Sequence, residues 1–245
     1  MTILRMCLLA ALTSRELERI LESLSEPRRG RPWSRPLWHR VLVVCAALRT
    51  NLTLRELAAV FGISKSAAHR MVATLTPVLA RLAPPARDRR TSWVVDGTLI
   101  PTRDHRCAAR SKNYRWSCNA QILIRRHDLT VIATSAGGPG NRNDPIHYRG
   151  SVVETRCREH GRVLADGGYR GVPELRTPRF ASNRIVRDRR WRSHRRPRAR
   201  LEHAIARLKD WRVLRDHRRR GHHLADTLQA VASLHNLRVA LRDSS

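Results

Sequence analysis

The first third of the chain carries apolar residues at helical spacing. Leu17, Ile20 and Leu21 recur among charged neighbours after Ser14, which predicts a Ser-capped amphipathic helix over 14–21. A break rich in Pro and Arg (Pro27, Arg28, Arg29, Gly30, Arg31, Pro32, Pro36) precedes an apolar helix over 37–48. After Thr50-Asn51 the pattern restarts. Thr53 can cap a short helix carrying Leu54, Leu57, Ala58 and Val60, with Glu56 three residues past the cap. Phe61-Gly62-Ile63 then makes a tight turn, and Ser64 caps a longer helix to about residue 75, with Pro77 just beyond. This is a helix-turn-helix layout over about 53–76: Gly62 can take the left-handed conformation, while Ala58, Ile63 and Val72 can pack the two helices together. The second helix would present Lys65, Ser66, His69 and Arg70 to the DNA major groove. A plain helical hairpin with a solvated basic face is the alternative.

Past a Pro-rich, charged linker at 83–90 the period changes. Strand-like runs cover 92–100, 117–126 and 129–135, the last two joined by the tight Arg126-His127-Asp128 connection of a hairpin. Gly137-Gly138-Pro139-Gly140-Asn141 reads as a loop, 145–160 as a helix and 162–165 as a further strand. Pro197 begins a helix to about residue 211, and 224–241 is a final amphipathic helix. Three strands, a helix, a strand and then helices give an α/β fold: a ribonuclease-H-like catalytic domain over 91–245 preceded by an all-α helix-turn-helix domain over 1–82.

Composition narrows the partner. Lys plus Arg number 49 against 20 acids, a formal charge of +29, and only Lys65, Lys112 and Lys209 are lysines. Guanidinium forks match phosphate oxygens bidentately, so the excess favours nucleic acid. Biased coding can inflate arginine, but it would not leave acids so scarce. No apolar run approaches the roughly 20 residues that cross a bilayer, so no membrane partner is expected. The apolar residues of 6–12 are too few for a secretory leader. Cys7, Cys45, Cys107, Cys118 and Cys157 show no paired spacing, which points to a reducing cytoplasm.

In this basic background three acids stand out. Asp96 follows Trp93-Val94-Val95, and a carboxylate within an apolar strand is costly unless a cation compensates it. Asp166 ends Val163-Leu164-Ala165, where the chain opens into Gly167-Gly168. Glu202 follows after thirty-five intervening residues, at the margin of an apolar stripe formed by Leu201, Ile205 and Leu208. Arg198, Glu202 and Lys209 fall within about 40° on one helix face. Two acids from strands and one from a helix can hold a pair of hard divalent cations, Mg²⁺ or Mn²⁺, against a phosphodiester. Each acid also has a plainer reading, as a turn, loop or solvated helix residue, and Asp144 rivals Asp166 as second ligand.

These motifs resemble the insertion-sequence transposases of the DDE superfamily, in the insertion-sequence-five-like group. The resemblance is carried by Asp96-Gly97-Thr98 with Pro101, Lys112-Asn113-Tyr114, Gly138-Pro139-Gly140 leading to Asp144, Asp166-Gly167-Gly168-Tyr169-Arg170-Gly171, and Arg198, Glu202 and Lys209 with Trp211. Arg, three residues, Glu, six residues and Lys is the specific part. Arg195 stands three positions before Arg198, where the group commonly has Tyr. The resemblance implies an enzyme that binds double-stranded DNA at terminal inverted repeats, cleaves the element's ends and joins the 3′ hydroxyls to target DNA. It further implies Asp96, Asp166 and Glu202 as catalytic ligands of two metal ions, and Arg198 and Lys209 as phosphate contacts. A homodimer or higher oligomer is expected, since two ends must be paired, and a bacterial cytoplasmic, nucleoid-associated location.

The segment 179–200 holds ten arginines and a single acid, Asp188. It reads as a DNA-tracking arm with Trp191 available to stack on an unpaired base, or as a disordered basic loop. His222-His223 is a polar helix start, with no partner at metal-ligand spacing. The competing function is a non-catalytic DNA-binding regulator, including an inactive or domesticated transposase.

Overall fold

The computed structural model describes residues 2–24, 32–82, 88, 90–113, 116–182 and 184–243, with side chains omitted at 137, 190, 192–198, 221 and 243. The Arg28–Arg31 break, most of the 83–90 linker, Tyr114 and the Arg198 side chain lie outside the described residues.

The amino-terminal helices are α1 (Ile3–Ala10), α2 (Ser14–Ser23), α3 (Leu37–Thr50), α4 (Leu54–Phe61) and α5 (Lys65–Leu79). Their ends are set by side chains. The cap of α2 is Thr13, not Ser14: its hydroxyl accepts from the Glu16 amide at 3.2 Å while the Glu16 carboxylate accepts from the Thr13 amide at 2.8 Å. Thr53 and Glu56 make the same reciprocal pair at the start of α4. Gly62 ends α4 at φ +61°, and the Ser64 hydroxyl accepts from the Ala67 amide to open α5. Helix α5 continues through Pro77 to Leu79, past the stop expected there. Burial of Leu75, Thr76 and Leu79 holds the last turn despite the hydrogen bond that Pro77 cannot donate.

The sheet contains β1 (Trp93–Pro101), β2 (Ser117–Arg125), β3 (Val131–Pro139), β4 (Val163–Leu164) and β5 (Leu175–Arg176) in the order β3-β2-β1-β4-β5. β1, β2 and β3 are antiparallel neighbours, whereas β4 and β5 run parallel to β1. This mixed sheet is the ribonuclease-H-like α/β arrangement, behind an all-α helix-turn-helix region. Gly138 and Pro139 belong to β3 rather than to a loop, paired with Asn119 and Cys118. Pro is tolerated there because β3 is an edge strand. The helix expected over 145–160 is two, α6 (Asp144–Tyr148) and α7 (Val152–His160), split by Gly150 at φ +73° and restarted by the Ser151 cap.

The arginine-rich segment is neither a bare arm nor a loop. It forms a hairpin, β6 (Phe180–Ala181) with β7 (Arg184–Ile185), followed by α8 (Arg189–Lys209). Asp188 caps α8 by accepting from the Trp191 amide at 2.8 Å, so the helix starts eight residues before Pro197. Helix α9 (Leu224–Asp243) ends the described chain.

Side chains of β1 alternate between two apolar layers. Val94 and Ile100 join a core with α3, α5, α8 and α9; Trp93 and Val95 join another with Tyr148 of α6 and Val153 and Cys157 of α7. The first core is continuous across the linker, since Val43, Met71 and Leu79 share it with Ile122, Trp211 and Leu228.

Candidate active site

Strand pairing sets the neighbourhood of the two aspartates. Trp93 pairs with Val163 and Val94 with Leu164 in parallel, so the chain leaving β4 carries Asp166, two residues past its end, on the same side of β1 that holds Asp96 within the strand. Strands in a sheet lie roughly 5 Å apart. By the same alternation Asp96 follows the face of Val94, and Asp166 that of Leu164, both toward the core that includes α8. Asp96 Oδ1 accepts from the Gly97 amide at 2.9 Å, and Asp166 Oδ1 accepts from the Gly168 amide at 2.8 Å, which holds each carboxylate against its own backbone.

Helix α8 lies over this face through Leu201, Ala204 and Leu208. Two anchors give its direction. The Arg200 guanidinium donates to the His127 carbonyl at 2.6 Å, near the start of β1, and Lys209 Nζ donates to the Leu99 carbonyl at 3.1 Å, further along β1. α8 and β1 therefore run the same way. Glu202 lies on the helix that runs alongside β1, and its side chain is exposed. Among the described residues, no group of three or more His, Cys, Asp and Glu side chains is placed to hold a metal ion. The three predicted acids are all oxygen donors, the chemistry that Mg²⁺ or Mn²⁺ prefers, but the structure does not gather them into one cluster.

Asp144 occupies the other side of the sheet. Its Oδ1 accepts from Asn119 Nδ2 at 2.7 Å and Gln121 Nε2 at 3.2 Å, and it lies against Gly97, whose neighbour Val95 faces the second core. Gln121 in turn accepts from the Tyr169 hydroxyl. Burial first, then the charges of Asp144, Asp96 and Asp166, push the Tyr169 hydroxyl well above the usual phenol range. This network was not anticipated from the sequence. Its trace was there, as Asn119 and Gln121 alternate within an otherwise apolar strand.

The remaining candidates are distributed as follows. Lys65, Ser66, His69 and Arg70 are all exposed along α5, with the Arg70 guanidinium 5.3 Å from the Trp33 ring centre. Lys209 is turned inward onto Leu99, and burial, then the charge of Arg215, lowers its ammonium from the ordinary lysine range. Trp191 is half-buried with the Arg187 guanidinium 5.6 Å from its ring centre. Hairpin β6–β7 leans on the turn after Asp166, since a Cβ on Gly167 would meet Phe180 Cζ at 2.8 Å.

Comparison with known proteins gives the family. Residues 38–85 match the helix-turn-helix of DDE superfamily endonuclease, and residues 95–236 match the DDE superfamily endonuclease family. Over 223 residues the chain is 43% identical to the Streptomyces albus G protein named "Putative transposase for insertion sequence element IS112", covering 88% of this chain and 86% of that one. The chain therefore belongs to the DDE superfamily of insertion-sequence transposases.

Proposed function

We propose that this transposase binds the terminal inverted repeats of its element, cleaves the ends by metal-assisted hydrolysis and transfers the freed 3′ hydroxyls to target DNA. The observation that supports this reading is the parallel pairing of β1, which holds Asp96, with β4, which Asp166 follows, on the face covered by the helix that bears Glu202. Two Mg²⁺ or Mn²⁺ ions, when bound, supply activation of the attacking water or hydroxyl and neutralisation of charge on the leaving oxygen. Asp96 and Asp166 are the ligands presented from the sheet, and Glu202 is the one brought from α8. Lys209, by donating to the Leu99 carbonyl, holds the end of α8 to the strand that carries Asp96. On the DNA side, Lys65, Ser66, His69 and Arg70 face a duplex docked on α5, and Arg198 and Trp191 lie on the same helix as Glu202. Two element ends must be paired, so the active complex is a homodimer or larger, working on chromosomal DNA in the cytoplasm. None of the described helices is long and apolar enough to cross a membrane.

The test is nicking of supercoiled DNA. Wild-type protein should nick with Mg²⁺ or Mn²⁺ and not with chelator, and Asp96→Asn, Asp166→Asn and Glu202→Gln should each lose nicking while keeping the wild-type circular dichroism spectrum. Metal-independent nicking, or nicking retained in all three variants, would overturn the assignment. Tight DNA binding with no nicking by wild-type protein would leave the non-catalytic regulator as the better reading.

A further inference from the structure

A cavity of about 830 Å³ opens between the helix-turn-helix and the segment that joins α8 to α9. Its floor is apolar, with Leu48, Leu57, Val72 and Val213, and its walls are cationic. Lys65 and His69 of α5 line one side; Arg218, Arg219, Arg220 and His222 line the other, and no acid lines it. Arg219 Nη1 is buried without a hydrogen-bond partner among the described residues. A buried donor left unpaired costs about 1–3 kcal/mol, a cost that an anion reaching the guanidinium would offset.

The joining segment is firmly mounted. Arg49 and Asn51, at the end of α3, donate to the carbonyls of Asp210 and Asp216 at 2.6 and 2.8 Å. Asp216 also takes both ends of the Arg103 guanidinium, and the His217 amide donates to the Pro101 carbonyl at the end of β1. Beyond these bonds, Arg218, Arg220 and His222 are exposed beside the recognition helix.

We propose that Arg218, Arg219, Arg220 and His222 form a second DNA contact, over which the phosphate backbone of the duplex read by α5 crosses the cavity mouth. The inference rests on the reading of α5 as a DNA-binding helix. The wall shared with Lys65 and His69 favours this partner over a small free anion, because a duplex seated on α5 must pass beside it. The segment then ties end recognition to the catalytic sheet, since the residues that grip DNA continue directly into those bonded to β1.

The test is binding of the full-length protein to a labelled duplex of about 30 base pairs, taken from the end of its element, across a salt series. Each phosphate contact contributes roughly one to the slope of log affinity against log salt. The double variant Arg218→Gln with Arg220→Gln should lower that slope by about two, and weaken binding roughly tenfold or more near physiological salt. Arg156→Gln, on α7 and paired with Glu159 away from the cavity lining, should leave the slope within experimental error of wild type. An unchanged slope in the double variant, with Lys65→Gln still lowering it, overturns the second contact and keeps the helix-turn-helix reading. A wild-type slope in the Lys65→Gln variant, with no preference for the end sequence over a scrambled duplex, fails the helix-turn-helix reading instead. Stabilisation of the wild type by pyrophosphate without any DNA effect of the double variant would assign the cavity to a small anion and also overturn the proposal.

Discussion

Asp144 Oδ1 stands 1.8 Å from the point a Cβ on Gly97 would occupy. Gly97 is therefore the thin place in the sheet, with the Asp144–Asn119–Gln121–Tyr169 network on one side and the Asp96 carboxylate on the next residue facing the other. Gly97→Ala must push Asp144 off its two amide donors or bend β1. Its expected cost is about 1–3 kcal/mol of stability, as for overpacking elsewhere. Urea denaturation checks this, and an unchanged midpoint would show that Asp144 moves aside freely.

Asp144 and Asp166 should separate sharply when their charges are removed. Asp144→Asn keeps the shape of a group whose Oδ1 is occupied by Asn119 and Gln121, so metal-dependent nicking should survive within about tenfold, roughly 1.4 kcal/mol. Asp166→Asn removes the proposed ligand that follows β4 and should cost nicking about a thousandfold, several kcal/mol in the barrier. Rates measured across a Mg²⁺ titration decide between them. The reverse ranking would make Asp144 the ligand and Asp166 the supporting acid.

The periodicity of the chain was enough to read the helix-turn-helix, the three leading strands and the order of acids, because each depends on local signals: Thr53 with Glu56, Gly62, Ser64, and apolar runs ending in Asp96 and Asp166. Where the fold departs from that reading, tertiary burial overrides a local signal. Pro77 stays within α5 because Leu79 is buried, and Gly138 and Pro139 stay in β3 because β2 offers them partners. β5 is two residues long and exists only by pairing with β4, which no local pattern records. The sidedness of the site was equally hidden. Asp144 follows a glycine-rich stretch and Asp166 precedes one, and only the contact of Asp144 with Gly97 and the pairing of β1 with β2 and β4 tell them apart.

His217 gives the fold an acid-sensitive point. It is fully buried, and burial, then the charges of Arg219 and His223, hold its imidazole down at about 4 against the partial opposition of Asp216 and Asp104. An unfolded histidine titrates near 6.5, so between that value and about 4 the unfolded chain holds one more proton than the folded one. Stability from this group is thus complete above pH 6.5 and is lost as pH falls, by about 3 kcal/mol in all at 1.4 kcal/mol per unit. Burial moves His235 the same way and adds to the effect. Urea midpoints at pH 7 and pH 4.5 should differ accordingly, and His217→Asn should flatten the difference. An equal pH response in that variant would place the acid sensitivity elsewhere.

The helix-turn-helix and the sheet should unfold as one unit despite the change of pattern at 83–90. Met71, Leu75 and Leu79 of α5 are buried in the core that also takes Leu228 of α9 and Ile122 of β2, while Arg49 and Asn51 of α3 are bonded to the segment carrying Asp216. A separate helical domain would expose that surface on parting from the sheet, at about 25 cal/mol for each Å² of apolar area. Leu228→Ala, a fully buried truncation, is expected to cost about 2–5 kcal/mol. Because its neighbours belong to both regions, native-state hydrogen exchange should show the slowest amides of α5 and of β2 losing protection by the same amount. Protection lost in β2 alone would mean that the amino-terminal helices hold together without the sheet, and that end recognition and catalysis are mounted on separable bodies.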